Sequence, residues 1–209
     1  LAVFGLVILK EGTLNSVRKH EQDRAQFDIH FFSALPLTIR SRLLDYLPQS
    51  NSQLRQDLLV IYLENFKKGG YFVEFGAGNG IDLSNTYLLE TEFEWLGILA
   101  EPALCWHSQL KLNRQVHIDK KCVWSKSGDY LEFNETLIPE FSTVSSFSDS
   151  DTHGGARKNG KSYTVETISL NDLLEKYMAP RHIDYLSLDT EGSEYEILRA
   201  LDFEKYSFG

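Results

Sequence analysis

Tyr71-Phe72-Val73-Glu74-Phe75-Gly76-Ala77-Gly78-Asn79-Gly80 decides how the rest of the chain is read. An aromatic and β-branched run carries an acid near its end, and three glycines follow at a spacing of two. The pattern predicts a buried strand over 71–75 that breaks into a tight turn. Glycine takes positive φ there and lets backbone N–H groups approach a ligand. A helix read directly after the turn, capped by Asp82 or Ser84, would add partial positive charge. A second apolar run, 96–100, ends in Glu101, 21 residues after Gly80. In an open α/β sheet a carboxylate at that strand tip can accept two hydrogen bonds from a ribose diol.

The bulk composition is compatible with this reading. A chain of 209 residues suits one domain with a real core. Hydrophobic residues at 42% and charged residues at 24% are globular values, which argues against wholesale disorder. The formal charge of −9 argues against nucleic acid or an anionic membrane as partner. Cys105 and Cys122 lack metal-type spacing and read as free thiols of a reducing compartment, hence a cytoplasmic expectation. No apolar run reaches the roughly 18 residues of a membrane span. Residues 1–9 (LAVFGLVIL) read as a strand or core segment, with a membrane-anchor remnant upstream of or at Leu1 as the alternative.

Outward from the glycine turn, strands and helices alternate. Residues 10–35 lack a clean period and read as an N-terminal arm, so the chain divides into an arm with a helix (1–51) and a ligand-binding domain (52–209). Helices are expected over 38–47, stopped by Pro48, and over 52–66, with Ser52 as N-cap and Leu54, Leu58, Ile61 and Phe66 facing inward. Further helices are expected over 103–113, 169–177 and 192–201. Strands are expected over 116–124, 129–133, 163–168 and 183–188, and a long loop over 141–162. Lys111, Arg114, Lys120 and Lys121 read as a solvated face. Alternation of this kind with apolar strands predicts an α/β fold, a mostly parallel sheet with helices on both faces.

The glycine spacing separates candidate ligands. A dinucleotide site wants G-x-G-x-x-G, and position 81 is not glycine. Glu74 would face a pyrophosphate unfavourably but suits a ligand with an ammonium group. S-adenosylmethionine, with an amino acid end, a sulfonium and a ribose, matches this charge pattern. The sequence Asp189-Thr190-Glu191-Gly192-Ser193-Glu194 crowds three acids at the tip of the fourth core strand. Asp189 sits where an open sheet places its ligand crevice, whereas Glu191 and Glu194 also fit helix capping.

Ser52-Gln53 with Asp57, the run 72–80, Leu83-Ser84-Asn85-Thr86, Ala100-Glu101-Pro102 and 188–194 together resemble the FkbM family of methyltransferases. The resemblance spans about 52–208, with its parts in order. It implies a class I, Rossmann-like fold that binds S-adenosylmethionine and transfers methyl, commonly to an oxygen of a sugar, polyketide or similar metabolite. Its glycine motif falls on Glu74 to Gly80, including Gly76, Ala77, Gly78 and Gly80. Ser84 and Pro102 lie in its flanking motifs, and its ribose acid is Glu101. Cys122 and Val123 would lie near adenine. The expected general base is Asp189, then Glu191, then His153. The acceptor is a small molecule or glycan. Glycine hinges and the cations Arg157, Lys158 and Lys161 make 149–162 a candidate lid over an anionic acceptor, with a surface loop as the alternative. The family fold continues beyond its fourth strand, so C-terminal strands are expected to be missing here. The sheet edge left open would be sticky and could join copies of the chain. A noncatalytic module and a nicotinamide oxidoreductase remain as alternative classes.

Overall fold

The computed structural model describes residues 24–136, 143–144, 160–190 and 192–209. Helical residues 24–34 (α1) lead into α2 (Leu37–Leu44), a 3-10 turn (Leu47–Gln49) and α3 (Gln56–Leu63). Strand β1 (Tyr71–Phe75), α4 (Tyr87–Phe93), β2 (Leu96–Ala100), α5 (His107–Asn113) and β3 (His117–Asp119) follow. Then come β4 (Cys122–Trp124), β5 (Tyr130–Glu135), β6 (Thr143–Val144), β7 (Lys161–Ser169) and α6 (Leu170–Lys176). The described chain closes with β8 (His182–Ile183), β9 (Tyr185–Ser187), α7 (Glu194–Arg199) and β10 (Ser207–Phe208).

The central sheet is parallel, in the order β3-β2-β1-β9, and β10 pairs parallel with β8 beside it. A second sheet, β4-β7-β5-β6, is mixed: β4 is parallel to β7, while β5 is antiparallel to both β7 and β6. Strand β1 lies inside the central sheet, so its side chains alternate between two buried layers. Phe72 joins Leu43, Leu58, Ile61, Leu88 and Trp95 on one face. Val73 and Phe75 join Ile98, Leu173, Ile183 and Ile197 on the other. Each such side chain contributes about 1.5–3 kcal/mol of burial. This two-sided covering is the doubly wound, Rossmann-like arrangement that near-continuous apolar strands require. Among the described residues no helix is long and apolar enough to cross a membrane.

Several expectations require correction. The strand expected over 116–124 is two strands in different sheets. Asp119 ends β3 by accepting the Lys121 N–H on its carboxylate, which turns the chain toward β7. The strand over 183–188 is likewise divided around Asp184, whose carboxylate accepts the Tyr71 N–H and pairs with Lys67. The third helix starts at Gln56, not 52, because Arg55 takes φ 58° before it. Ser52 instead donates to Asp57 and bridges to Leu83, and Leu54 is exposed. The arm is helical over 24–34, where Phe32 is buried and Asp28 pairs with Arg55 at 2.7 Å. Within the expected loop over 141–162, Thr143–Val144 and the start of β7 are strand. Residues 1–9, His153, Arg157, Lys158 and Glu191 lie outside the described residues.

Candidate active site

Strand β1 ends where the chain must turn over its neighbour. The N–H of Gly76 donates to the Ala100 carbonyl at 3.1 Å. Gly76 has φ 70°, and a Cβ there would meet the Asp189 carbonyl at 2.1 Å. The turn is thus pressed against the end of β9 and tolerates no side chain at that point. Gly78 has φ 54° with no heavy atom within 4 Å of a Cβ position. Its open side borders a cavity lined by Glu74, Asn85, Glu101, Val123 and Asp189. The cavity sits at the C-terminal ends of β1 and β2, where an open α/β sheet binds its ligand.

Glu101 lies against this cavity and is 5% exposed. Its backbone is fixed on both sides: its N–H donates to the Asp119 carbonyl, and His107 Nε2 donates to its own carbonyl. One carboxylate oxygen accepts the Gly78 N–H at 2.8 Å, the other the Ala103 N–H at 2.7 Å. Burial pushes its pKa up to about 7, against the pull of those two amides. Each oxygen keeps a lone pair for a further donor, which is the chemistry of a diol acceptor.

Glu74 is 3% exposed and occupied by the protein itself. It accepts the Asn85 N–H at 2.7 Å, the Thr86 hydroxyl at 2.6 Å and the Ser84 hydroxyl at 3.0 Å. The guanidinium of Arg114 stands 3.7 Å away. The carboxylate therefore anchors the loop after the glycine turn, while still reaching the cavity wall. That loop replaces the helix expected at Asp82 or Ser84. The helix begins only at Tyr87, and Ser84 Oγ accepts the Thr86 and Tyr87 N–H groups. No helix N-terminus follows the turn directly, so the partial positive charge expected there is not delivered.

Arg114 is the residue that composition and spacing misread. Its side chain has 0% exposure. It pairs with Glu90 at 2.5 Å and donates to the Gly80 carbonyl, Ser84 and Thr86. It clamps the loop 80–86 from beneath. No local signal in the sequence marks it as buried: it follows α5 and precedes the mixed run Gln115-Val116-His117.

Cys122, Val123 and Pro102 line the cavity beside Glu101, as do Trp106 and Phe133, which the sequence did not single out. Burial pushes the Cys122 thiol up to about 12, so it is a neutral wall residue. Asp189 lines the opposite side. Its carboxyl is raised above the usual range, first by desolvation and then by Glu194. Glu194 is not free to react: it accepts the N–H groups of Thr190 and Gly192 and the Thr190 hydroxyl. Ala77 and Ser84 are buried behind the wall.

Among the described residues lining the cavity, Glu74, Asp82, Glu101 and Asp189 are acids and none is Lys, Arg or His. Such a wall disfavours a pyrophosphate and suits a ligand that carries positive charge and hydroxyls. Asn85 adds a buried side-chain oxygen with no hydrogen-bond donor among the described residues.

The profile described as Methyltransferase FkbM domain matches residues 74–208, from the acid of β1 to the last paired strand. No curated protein and no solved structure matches the chain. The match takes in the glycine turn, Glu101 and Asp189 and covers more than half of the chain, while Ser52 and Asp57 precede it. With the parallel sheet and the cavity at its strand ends, this makes the chain a member of the FkbM methyltransferase family.

Proposed function

We propose that the protein transfers a methyl group from S-adenosylmethionine to a hydroxyl of a neutral small molecule or glycan. The observation that carries this reading is the acid-lined wall around a glycine turn, with no Lys, Arg or His among its described residues and Glu101 at the β2 tip. Bound there, S-adenosylmethionine supplies an electrophilic methyl on a sulfonium. Glu101 accepts the ribose diol, Gly78 lets the backbone lie close, and Cys122 and Val123 flank the base. Asp189 accepts the proton that the acceptor hydroxyl loses as its oxygen bonds to the methyl carbon. The carbon–sulfur electron pair goes to sulfur and leaves a neutral thioether. The raised pKa of Asp189 strengthens it as a base, and orientation of the reacting atoms supplies much of the rate. Glu191 remains a second candidate base by sequence position.

The test is turnover. Purified protein is incubated with S-adenosylmethionine and a panel of neutral sugars and hydroxylated metabolites, and S-adenosylhomocysteine release is measured. Release dependent on one acceptor class, lost by about a hundredfold or more in Asp189→Asn with donor binding intact, is expected for a positioned general base. Full turnover by Asp189→Asn removes that residue from the role. Donor binding without release on any acceptor would favour a noncatalytic module.

A further inference from the structure

Three consecutive backbone N–H groups after β2 go to side-chain acceptors. Ala103 donates to Glu101 Oε1 at 2.7 Å, Leu104 to the Tyr163 hydroxyl at 3.0 Å and Cys105 to Glu135 Oε2 at 3.3 Å. The Tyr163 hydroxyl in turn donates to the same Glu135 oxygen at 2.7 Å. Glu135 ends β5 and Tyr163 lies near the start of β7, so this pair latches the 103–105 loop onto the mixed sheet. A cavity residue stands on each side of the latched loop. Glu101 precedes it, and Trp106 follows it, packed with Cys122, Phe133 and Val144.

Leu104 and Cys105 are exposed, so water could take their N–H groups. What the protein acceptors add over water is a fixed place for the loop, set before a ligand arrives. The Tyr163 hydroxyl holds the Glu135 carboxylate still by a charge-assisted bond. We infer that Glu135 and Tyr163 are positioning residues that hold Glu101 and Trp106 in place for the adenosine half of the methyl donor. The inference rests on the methyl-donor reading above. The Tyr163 ring is placed separately, by packing on Phe133 at 5.7 Å between centroids, so its hydroxyl can be removed while the ring stays.

Calorimetric titration of Tyr163→Phe with S-adenosylhomocysteine and with 5′-methylthioadenosine tests the latch. Both ligands carry adenosine, so both should weaken by the same factor, about fivefold to tenfold, with one site per chain retained. Glu135→Ala should do the same. One Glu135 oxygen takes both donors, so the single carbonyl oxygen of Glu135→Gln should recover most of the loss. The Glu135 pair serves if Tyr163→Phe does not fold. Freeing the loop also loosens the Ala103 N–H, which pulls the burial-raised pKa of Glu101 down. In Tyr163→Phe the rise of affinity with pH should therefore move to higher pH. The neighbouring groups titrate elsewhere: burial pushes Cys105 and Cys122 up to about 12 and lowers His107 from 6.5, and against its own burial the Tyr163 and Cys105 donors hold Glu135 low. With fluorotryptophan in the ligand-free chain, the Trp106 resonance, assigned by Trp106→Phe, should shift in Tyr163→Phe while those of Trp95 and Trp124 stay. Losses within twofold on both ligands, a loss confined to S-adenosylhomocysteine, an unmoved Trp106 resonance, or Glu135→Gln no better than Glu135→Ala overturns the assignment. Failure of the wild-type protein to bind either ligand overturns the methyl-donor reading and this inference with it, whereas wild-type binding left unchanged by the variants overturns this inference alone.

Discussion

Arg114 has no solvent exposure and holds Glu74 and Glu90 within ion-pair range. Replacing it with Met removes one charge and leaves the buried Glu74 and the partly buried Glu90 without their cation. A loss of about 3–5 kcal/mol is expected, read as a shift in urea midpoint. Arg114→Lys should recover little, because one ammonium cannot reach the Gly80 carbonyl, Ser84, Thr86 and Glu90 together. The sequence did not reveal this network, since a basic residue among lysines carries no local mark of burial. Glu101 was legible, because its place after an apolar run fixes it at a strand tip. Its ionisation was not legible, because it depends on the walls that β4 and β5 bring over it. With its pKa raised to about 7, the carboxyl is neutral at pH 6 and ionised at pH 8. Ligand hydroxyls favour the ionised form, so affinity for S-adenosylhomocysteine should rise with pH through 7, by up to about tenfold per unit below it. Glu101→Gln should bind more weakly and flatten that profile. A profile that falls as pH rises would contradict the role.

At the scale of elements, the turn after β1 separates two glycines that the sequence treats alike. Ala at position 78 meets no atom, so only its left-handed backbone opposes it, at about 1–2 kcal/mol. Ala at 76 would drive a Cβ into the Asp189 carbonyl at 2.1 Å and push β1 from the end of β9. Gly76→Ala should therefore lower the melting temperature distinctly more than Gly78→Ala, and an equal effect would show that the turn is not pressed on β9. Strands β1 and β2 were readable to the residue because both faces are buried and their apolar runs are unbroken. The run 116–124 was not, because its division depends on the Asp119 carboxylate and on β7, where the partner of Cys122 is Thr167, 45 residues on. Helix α4 starts late for a similar reason: Glu74 and Arg114 hold 84–86 as a loop that local propensity would have made helical.

For the whole molecule, the parallel sheet with a core on each face is the rigid part, and the mixed sheet closes one side of the cavity. Native-state hydrogen exchange should find the slowest amides in 72–74 and 97–99, at the centre of the sheet. Strands β6 and β10, of two residues each, should exchange faster. The family was legible because its motifs sit at strand ends that the hydrophobic pattern locates. The acceptor was not, because the cavity also draws lining residues such as Leu83, Trp106, Phe133 and Val144 from segments far apart in sequence. The central claim is that this cavity holds a methyl donor and not a dinucleotide. Calorimetric titration of the wild-type chain with S-adenosylhomocysteine and with NAD tests it most directly. Saturable binding of S-adenosylhomocysteine at one site per chain, weakened by Glu101→Gln, with no heat from NAD, is the predicted result; saturable NAD binding with none for S-adenosylhomocysteine would contradict it.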